Sequence, residues 1–446
     1  MYKNILIILF SIFIIQSMNA QSSNISKDLQ SNIVSQINAG DIIGIVVGTT
    51  ADGKTAYLSK GKRSEEGAVN EKSIFEIGSI SKTFTGLMLA EMVTQGEVKL
   101  TDKIQQYLGD EVKIPKHGGK EIQLFHLSNH TSGLPRLPAN LSPADNLNPY
   151  QDYSAKNLYE FLNNHKLTKE IGSTYEYSNL GAGLLGHILA KLNKSTYEEL
   201  LTRIITKPLG MNNTGLSLEA DNFAKGHFAG KEVPNWEFDV LAGAGAIQSS
   251  AEDMMIYLKA NMGLIECQLF PAMNLSHKIS GSKESKPKVG LGWHVMNYDD
   301  KEIIWHNGGT GGYTSFMGWI KGTDKGVVVL NNSTENVDYI GLNALVSSYP
   351  LKKIKPIVDL AENVLEQYIG RYELAPGFIL SVSKDGKQLS AMATGQSSLP
   401  IYPEAEDKFF YKLVDAKLEF QKNDNGIIQS VTLLQAGQQI IGKKLD

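Results

Sequence analysis

Ser79 and Lys82 stand three residues apart in the run Ile74-Phe75-Glu76-Ile77-Gly78-Ser79-Ile80-Ser81-Lys82. A serine hydroxyl near its free pKa is a poor nucleophile and needs an adjacent base. If a helix opens at Ser79, the i,i+3 spacing sets the Lys82 amine beside that hydroxyl. Burial or a neighbouring positive charge would then lower the amine's pKa until it can accept the proton. The unpaired N–H groups of the helix start would face the developing oxyanion. Spacing alone discriminates poorly, because Ser-x-x-Lys recurs at Ser59, Ser280, Ser285 and Ser381. Only Ser79 lies between a strand-like run and an amphipathic helix, with Phe84, Leu87, Met88 and Met92 on one face and Gly96 at its C-terminal end.

Two further segments bear reactive or recognition groups: Tyr177-Ser178-Asn179, and His306-Asn307-Gly308-Gly309 after Trp305. Together with Phe75 to Lys82, and with His130-Thr131-Ser132-Gly133-Leu134-Pro135 between them, they resemble the class C β-lactamases and their relatives among DD-peptidases, D-aminopeptidases and family VIII esterases. The resemblance runs over about residues 30–345. Pro208-Leu209-Gly210-Met211 and Gly290-Leu291-Gly292-Trp293 belong to it as structural segments.

The resemblance implies Ser79 as nucleophile, with Lys82 and Tyr177 moving its proton, and Asn179 binding substrate. It implies a strand His306-Asn307-Gly308-Gly309 lining the site, with the N–H groups of Ser79 and Gly309 as oxyanion hole. A phenol that accepts the serine proton needs a pKa well below ten, which a nearby cation such as Lys82 could cause. Two departures stand out. Those β-lactamases carry Lys-Thr-Gly where this chain has His306-Asn307-Gly308, and Leu137 occupies the place of a substrate-contacting glutamine. An ordinary histidine is mostly neutral above pH 7, so His306 is expected to weaken carboxylate recognition and to give activity a pH dependence.

The implied activity is a serine hydrolase cleaving a β-lactam or a D-Ala-type amide, with penicillin binding and antibiotic resistance as its context. A carboxylesterase, a D-aminopeptidase or a slow-turnover penicillin-binding protein with the same machinery are the alternatives. The partner is a small molecule or a peptidoglycan-derived peptide, and neither metal nor cofactor is implied. No Gly-x-Ser-x-Gly elbow or glycine-rich phosphate loop is present, and His126 and His130 lack a His-Glu-x-x-His context. They read as loop-packing residues. A formal net charge of −4 argues against a nucleic-acid binder. The single cysteine, Cys267, excludes an intramolecular disulfide and sits in an apolar run as a small core residue.

The elements that must position these groups follow from patterning. With 446 residues, 42% hydrophobic, the chain can build more than one core. Residues 1–20, apolar from Ile5 to Ile15, read as a signal peptide too short to span a bilayer, which makes the chain secreted, periplasmic and not membrane-inserted after cleavage. Asp41 to Gly61 reads as a hairpin turning at Asp52-Gly53. Glu302–Trp305, Ser315–Ile320 and Gly326–Leu330 read as a meander, with a mainly helical stretch between. The expectation is an α+β catalytic domain over residues 25–350, whose antiparallel sheet combines N- and C-terminal strands beside a helical subdomain. A linker, 351–365, and a small all-β domain, 366–446, follow. The latter resembles the lipocalin-like domain appended to many such hydrolases, in a position to cap the cleft or shape specificity.

Overall fold

Alternation along four strands decides how the central sheet is covered. Ile45, Val47, Ile303, Phe316, Val327 and Val329 point to one face and join Leu29, Ile33 and Ile340 in a back layer. Val46, Ile304, Met317, Val328 and Leu330 point to the other and join the large core under the helices. Successive side chains alternate between faces, so a strand buried on both reads as a continuous apolar run, as Gly326–Asn331 does. The computed structural model describes residues 25–65, 67–279, 287–355 and 357–445. The predicted signal peptide and Ser280 and Ser285 lie outside them.

The sheet has eight strands in the order Gly67–Ala68, Lys54–Ser64, Gly44–Ala51, Gly326–Asn331, Thr314–Ile320, Lys301–Gly309, His294–Tyr298, Lys288–Val289, each pair antiparallel. N- and C-terminal strands meet where Gly44–Ala51 pairs with Gly326–Asn331. The hairpin turns where expected: Asp52 and Gly53 have φ of 51° and 71° and Ala51 faces Lys54, the two positive-φ residues of a tight primed turn.

The nucleophile segment differs from the sequence reading in two ways. Strand Ile74–Glu76 belongs to a separate two-stranded sheet with Gln248–Ser250. The α-helix starts at Ser81, not Ser79, which sits in a 3₁₀ turn, Gly78–Ile80. The helix is not amphipathic either: Ser81 through Ala90 are all buried, as befits a rod enclosed by the helical layer and the sheet. It ends as the sequence indicated. Gly96 (φ 77°) follows the cap, with Gly96 N–H bonded to Val93 O and Glu97 N–H to Met92 O. Cys267 is half-buried against the large core.

Beyond residue 369 eight consecutive antiparallel strands, Gly370–Ala375 to Gln438–Lys444, close into a barrel. An eight-stranded barrel is just wide enough for side chains, and Tyr368, Tyr372, Phe409, Leu418, Phe420 and Val431 fill this one. Leu360, Val364 and Leu365, from the segment read as linker, pack on that core. The barrel meets the larger unit at the end of helix Lys27–Asn38, on the back-layer side. Lys412 Nζ lies 2.6 Å from Asp41 and donates to Ala39 O, while Lys352 bonds Glu335 at 2.7 Å. These contacts do not cap the Ser79 cleft.

Candidate active site

Gly78 makes the turn at Ser79 possible. Its φ is +51°, and a Cβ there would stand 2.6 Å from Gly309 N; only glycine takes this backbone without strain. A Cβ on Gly308 would run into Ile77 O. The strand end Gly308-Gly309 therefore lies directly against the Ser79 turn. In a 3₁₀ turn residues i and i+3 eclipse, and this, rather than an α-helix start, sets Lys82 Nζ 2.9 Å from Ser79 Oγ.

Lys82 is 2% exposed. Its amine donates to Ser79 Oγ and, at 2.6 Å, to Ala244 O. No carboxylate among the described residues pairs with it. Burial, assisted by the charge of Arg136, holds its pKa well below the ordinary lysine value, which favours the neutral, proton-accepting amine. Gly292, of the Gly-Leu-Gly-Trp segment, packs on the Lys82 backbone carbonyl. That segment is structural, as its sequence reading has it.

Tyr177 precedes the N-cap of helix Asn179–Leu192. Ser178 Oγ accepts Gly181 N–H at 2.8 Å, and Asn179 and Leu180 N–H both bond Arg136 O. Ser79 bears on the Tyr177 phenol and, like Arg136, acts to lower its pKa. Lys82 Nζ and Arg136 Cζ lie 4.9 and 5.1 Å from its ring centroid. The expectation that nearby cations pull its pKa below ten is not met. Burial outweighs Ser79 and Arg136 and pushes Tyr177 up to about 12, so the phenol is a proton donor in the resting site. Asn179 Nδ2 bonds the Tyr150 hydroxyl at 3.2 Å, while its Oδ1 is buried without a hydrogen-bond partner.

His306 shares the parity of Ile304 and faces the site. It is 1% exposed, with Nδ1 2.5 Å from Asn307 O, and its ring stacks 4.8 Å from His294. Burial first, then His294 and Lys82, push its pKa well below the usual histidine range. The expected titration of His306 near neutral pH is therefore corrected: the ring is neutral throughout that range. Asn307 is a second correction. Strand alternation turns its side chain to the back layer, where Nδ2 donates to Asp338 at 2.8 Å, so only its backbone can serve the site.

Four neighbours escaped the sequence reading. His130, read as loop packing, does pack a loop, but that loop is the Tyr177 segment: Nδ1 accepts Ser178 N–H at 3.1 Å and the ring lies 4.5 Å from Tyr177. Its φ of 61°, unusual for a non-glycine residue, marked nothing in the sequence. His294 contacts the Tyr175 hydroxyl at 3.0 Å. Arg136 covers Tyr177. Glu76, 4% exposed, accepts Trp236 N–H at 2.7 Å, and burial pushes it up to about 7. No group of metal-ligating residues occurs among the described residues.

The family described as Beta-lactamase matches residues 29–349, and that described as Domain of unknown function (DUF3471) matches 355–445. Penicillin-binding protein 4* of Bacillus subtilis (strain 168) is 25% identical over 394 residues, 80% of this chain and 84% of its own. The D-alanyl-D-alanine-carboxypeptidase/endopeptidase AmpH of Escherichia coli (strain K12) is 28% identical over 317 residues, 68% of this chain and 78% of its own. An octameric penicillin-binding protein homologue from Pyrococcus abyssi superposes with a TM-score of 0.64 at 25% identity, covering 93% of this chain and 99% of that one. A class C beta lactamase from Rhodobacter sphaeroides shares the fold at 24% identity, TM-score 0.61, over 72% of this chain and 98% of its own.

Proposed function

The chain belongs to the beta-lactamase family and is a serine hydrolase, and from that premise we propose that it cleaves a β-lactam or a D-Ala-type amide through an acyl-Ser79 intermediate. One observation carries this reading: a buried lysine with no countercharge, hydrogen-bonded to a serine held in a glycine-permitted turn. The neutral Lys82 amine takes the Ser79 Oγ proton as Oγ attacks the carbonyl carbon. The oxyanion is met by the N–H groups of Ser79 and Gly309, which the Gly78 and Gly308 contacts bring together. Tyr177, protonated and with Lys82 Nζ 4.9 Å from its ring centroid, gives its proton to the leaving nitrogen and recovers one from Lys82. Water then attacks the acyl-enzyme by the same relay in reverse. Asn179 Oδ1 supplies an open acceptor for a substrate N–H.

A second reading, a carboxylesterase or D-aminopeptidase using the same groups, draws support from His306. A neutral buried ring offers no charge at the strand for a substrate carboxylate. Parallel turnover of nitrocefin, a D-Ala-D-Ala peptide and p-nitrophenyl acetate ranks the two. Fluorescent-penicillin or fluorophosphonate labelling must vanish in Ser79→Ala and persist in Ser381→Ala; labelling of Ser79→Ala at the wild-type rate refutes the nucleophile. No helix of the described residues is long and apolar enough to cross a membrane. We place the chain in the periplasm on its apolar Ile5 to Ile15 run, to be checked by N-terminal sequencing of the exported protein.

A further inference from the structure

The cations around Ser79 are unequal. Lys82 is buried, and its hydrogen bonds go to Ser79 and Ala244. His130, His294 and His306 are held neutral by burial. Arg136 alone among these groups is exposed to solvent. Its guanidinium lies 5.1 Å from the Tyr177 ring centroid, and its charge bears on Lys82, Tyr150, Tyr175 and Tyr177. Among the described residues its side chain makes no ion pair. The carboxylate next to Tyr177 in sequence, Glu176, is held by Lys169 at 2.6 Å, and Glu237 accepts Gln151.

Arg136 is also firmly placed. Its carbonyl receives the first two N–H groups of the helix that begins at Asn179, so the guanidinium and the Asn179 amide hang on one frame. Within that frame Asn179 Oδ1 is a buried acceptor with no partner. An open acceptor for an N–H beside an unpaired guanidinium matches one ligand chemistry: an amide with a carboxylate close by. Arginine suits this role because its planar fork meets a carboxylate with two parallel hydrogen bonds.

We propose that Arg136 is the specificity residue of the cleft, binding the carboxylate of a peptide-like, anionic acyl donor on the Asn179 side. Charge recognition is thereby moved from the sheet strand, where His306 carries none, to the loop after Pro135. The proposal rests on acylation of Ser79 as described above.

The test uses the full-length chain and two esters, p-nitrophenyl acetate and mono-p-nitrophenyl succinate, whose acyl groups differ by a carboxymethyl group, so that only the second bears a negative charge. Wild type should prefer the succinate ester at low salt and lose much of that preference at high salt. In Arg136→Gln the succinate-to-acetate ratio of kcat/KM should fall roughly ten- to a hundredfold, mainly through KM, as expected for a lost charge-assisted hydrogen bond. Arg136→Lys should restore part of it. Hydrolysis of the acetate ester should itself drop by less, because Arg136 also covers Tyr177. A ratio unchanged in Arg136→Gln, or a wild type without preference for the anionic ester, overturns the proposal. Ser79→Ala, assayed alongside, separates the two failures: if it hydrolyses both esters at the wild-type rate, the acyl-Ser79 reading falls instead.

Discussion

Lys82 is buried and Lys412 nearly so, and the two have opposite surroundings. Lys82, in the cleft, has a serine hydroxyl and a backbone carbonyl for partners and no carboxylate. Lys412, where the barrel meets the end of the first helix, lies 2.6 Å from Asp41, with both side chains largely enclosed, at 13% and 6% exposure. A buried cation with a countercharge holds two surfaces together. One without it is forced toward neutrality, and a neutral amine beside a hydroxyl is a base. Burial alone therefore does not distinguish a structural lysine from a chemical one; the partner does.

Breaking each site tests that contrast. Lys82→Met should lower kcat/KM at least about a thousandfold while leaving the melting temperature unchanged or raised, since a buried group without a countercharge is removed. A large loss of stability in this variant would make Lys82 a structural residue after all. Lys412→Met should do the reverse. Leaving Asp41 with only Lys352, 3.8 Å away, should cost about 2 kcal/mol in denaturant unfolding, with kcat/KM changed only a few-fold. Asp41→Asn combined with Lys412→Met should recover most of that loss, because neither charge is then left alone.

Glu76 extends the contrast to a carboxyl. It has an N–H partner in Trp236 but no cation, and burial pushes it up to about 7 from an ordinary 4.5. Between those two pH values the folded state holds a proton that the unfolded state has released. The contribution of Glu76 to stability should therefore fall as pH rises from about 4.5 to 7, by about 3 kcal/mol, and stay at the lower level above. The buried neutral histidines His130, His294 and His306 act in the opposite sense over the same range. In urea titrations the stability of wild type relative to Glu76→Gln should be greater at pH 5 than at pH 8; a difference that is the same at both pH values would show that Glu76 does not hold this proton. The smallest effect concerns His306. Since its ring is neutral, His306→Gln should leave the shape of the kcat/KM profile between about pH 5.5 and 8.5 unaltered, whatever it does to the plateau. A limb that disappears in the variant would show that His306 titrates in the working enzyme.

What the sequence disclosed follows from how local each signal is. Asp52-Gly53 announces its turn because two successive positive-φ residues require such types. Ser79, Lys82 and Tyr177 stood out because segments around them are distinctive, and strand alternation made a sheet of terminal strands legible. The 3₁₀ turn at Ser79 was not legible, since it depends on Gly309 lying against Gly78 from 231 residues away. The burial of Lys82, Tyr177 and His306 was equally hidden, and with it the direction of each pKa. Asn307 is the instructive miss: parity with Trp305 already turned it away from His306, but its place in the resembling motif outweighed that reading. His294 and Arg136 come from segments that touch the site only in the folded chain.

The glycines around Ser79 also bear on how new activities could arise in this scaffold. At Gly78 and Gly308 any side chain would collide with backbone, which cannot swing aside as a side chain can. Both positions are closed to exploration, and the nucleophile's immediate surroundings are frozen with them. Arg136, Tyr150, Trp236 and Phe238 present side chains near the site, three of them as mutually contacting rings. Randomised libraries confined to these four positions should yield altered substrate preference at an acceptable rate of folded clones, whereas the same diversity spent on the glycines would return mostly unfolded protein. The adaptable part of this enzyme is its wall, and the reaction centre is the part that descent must inherit whole.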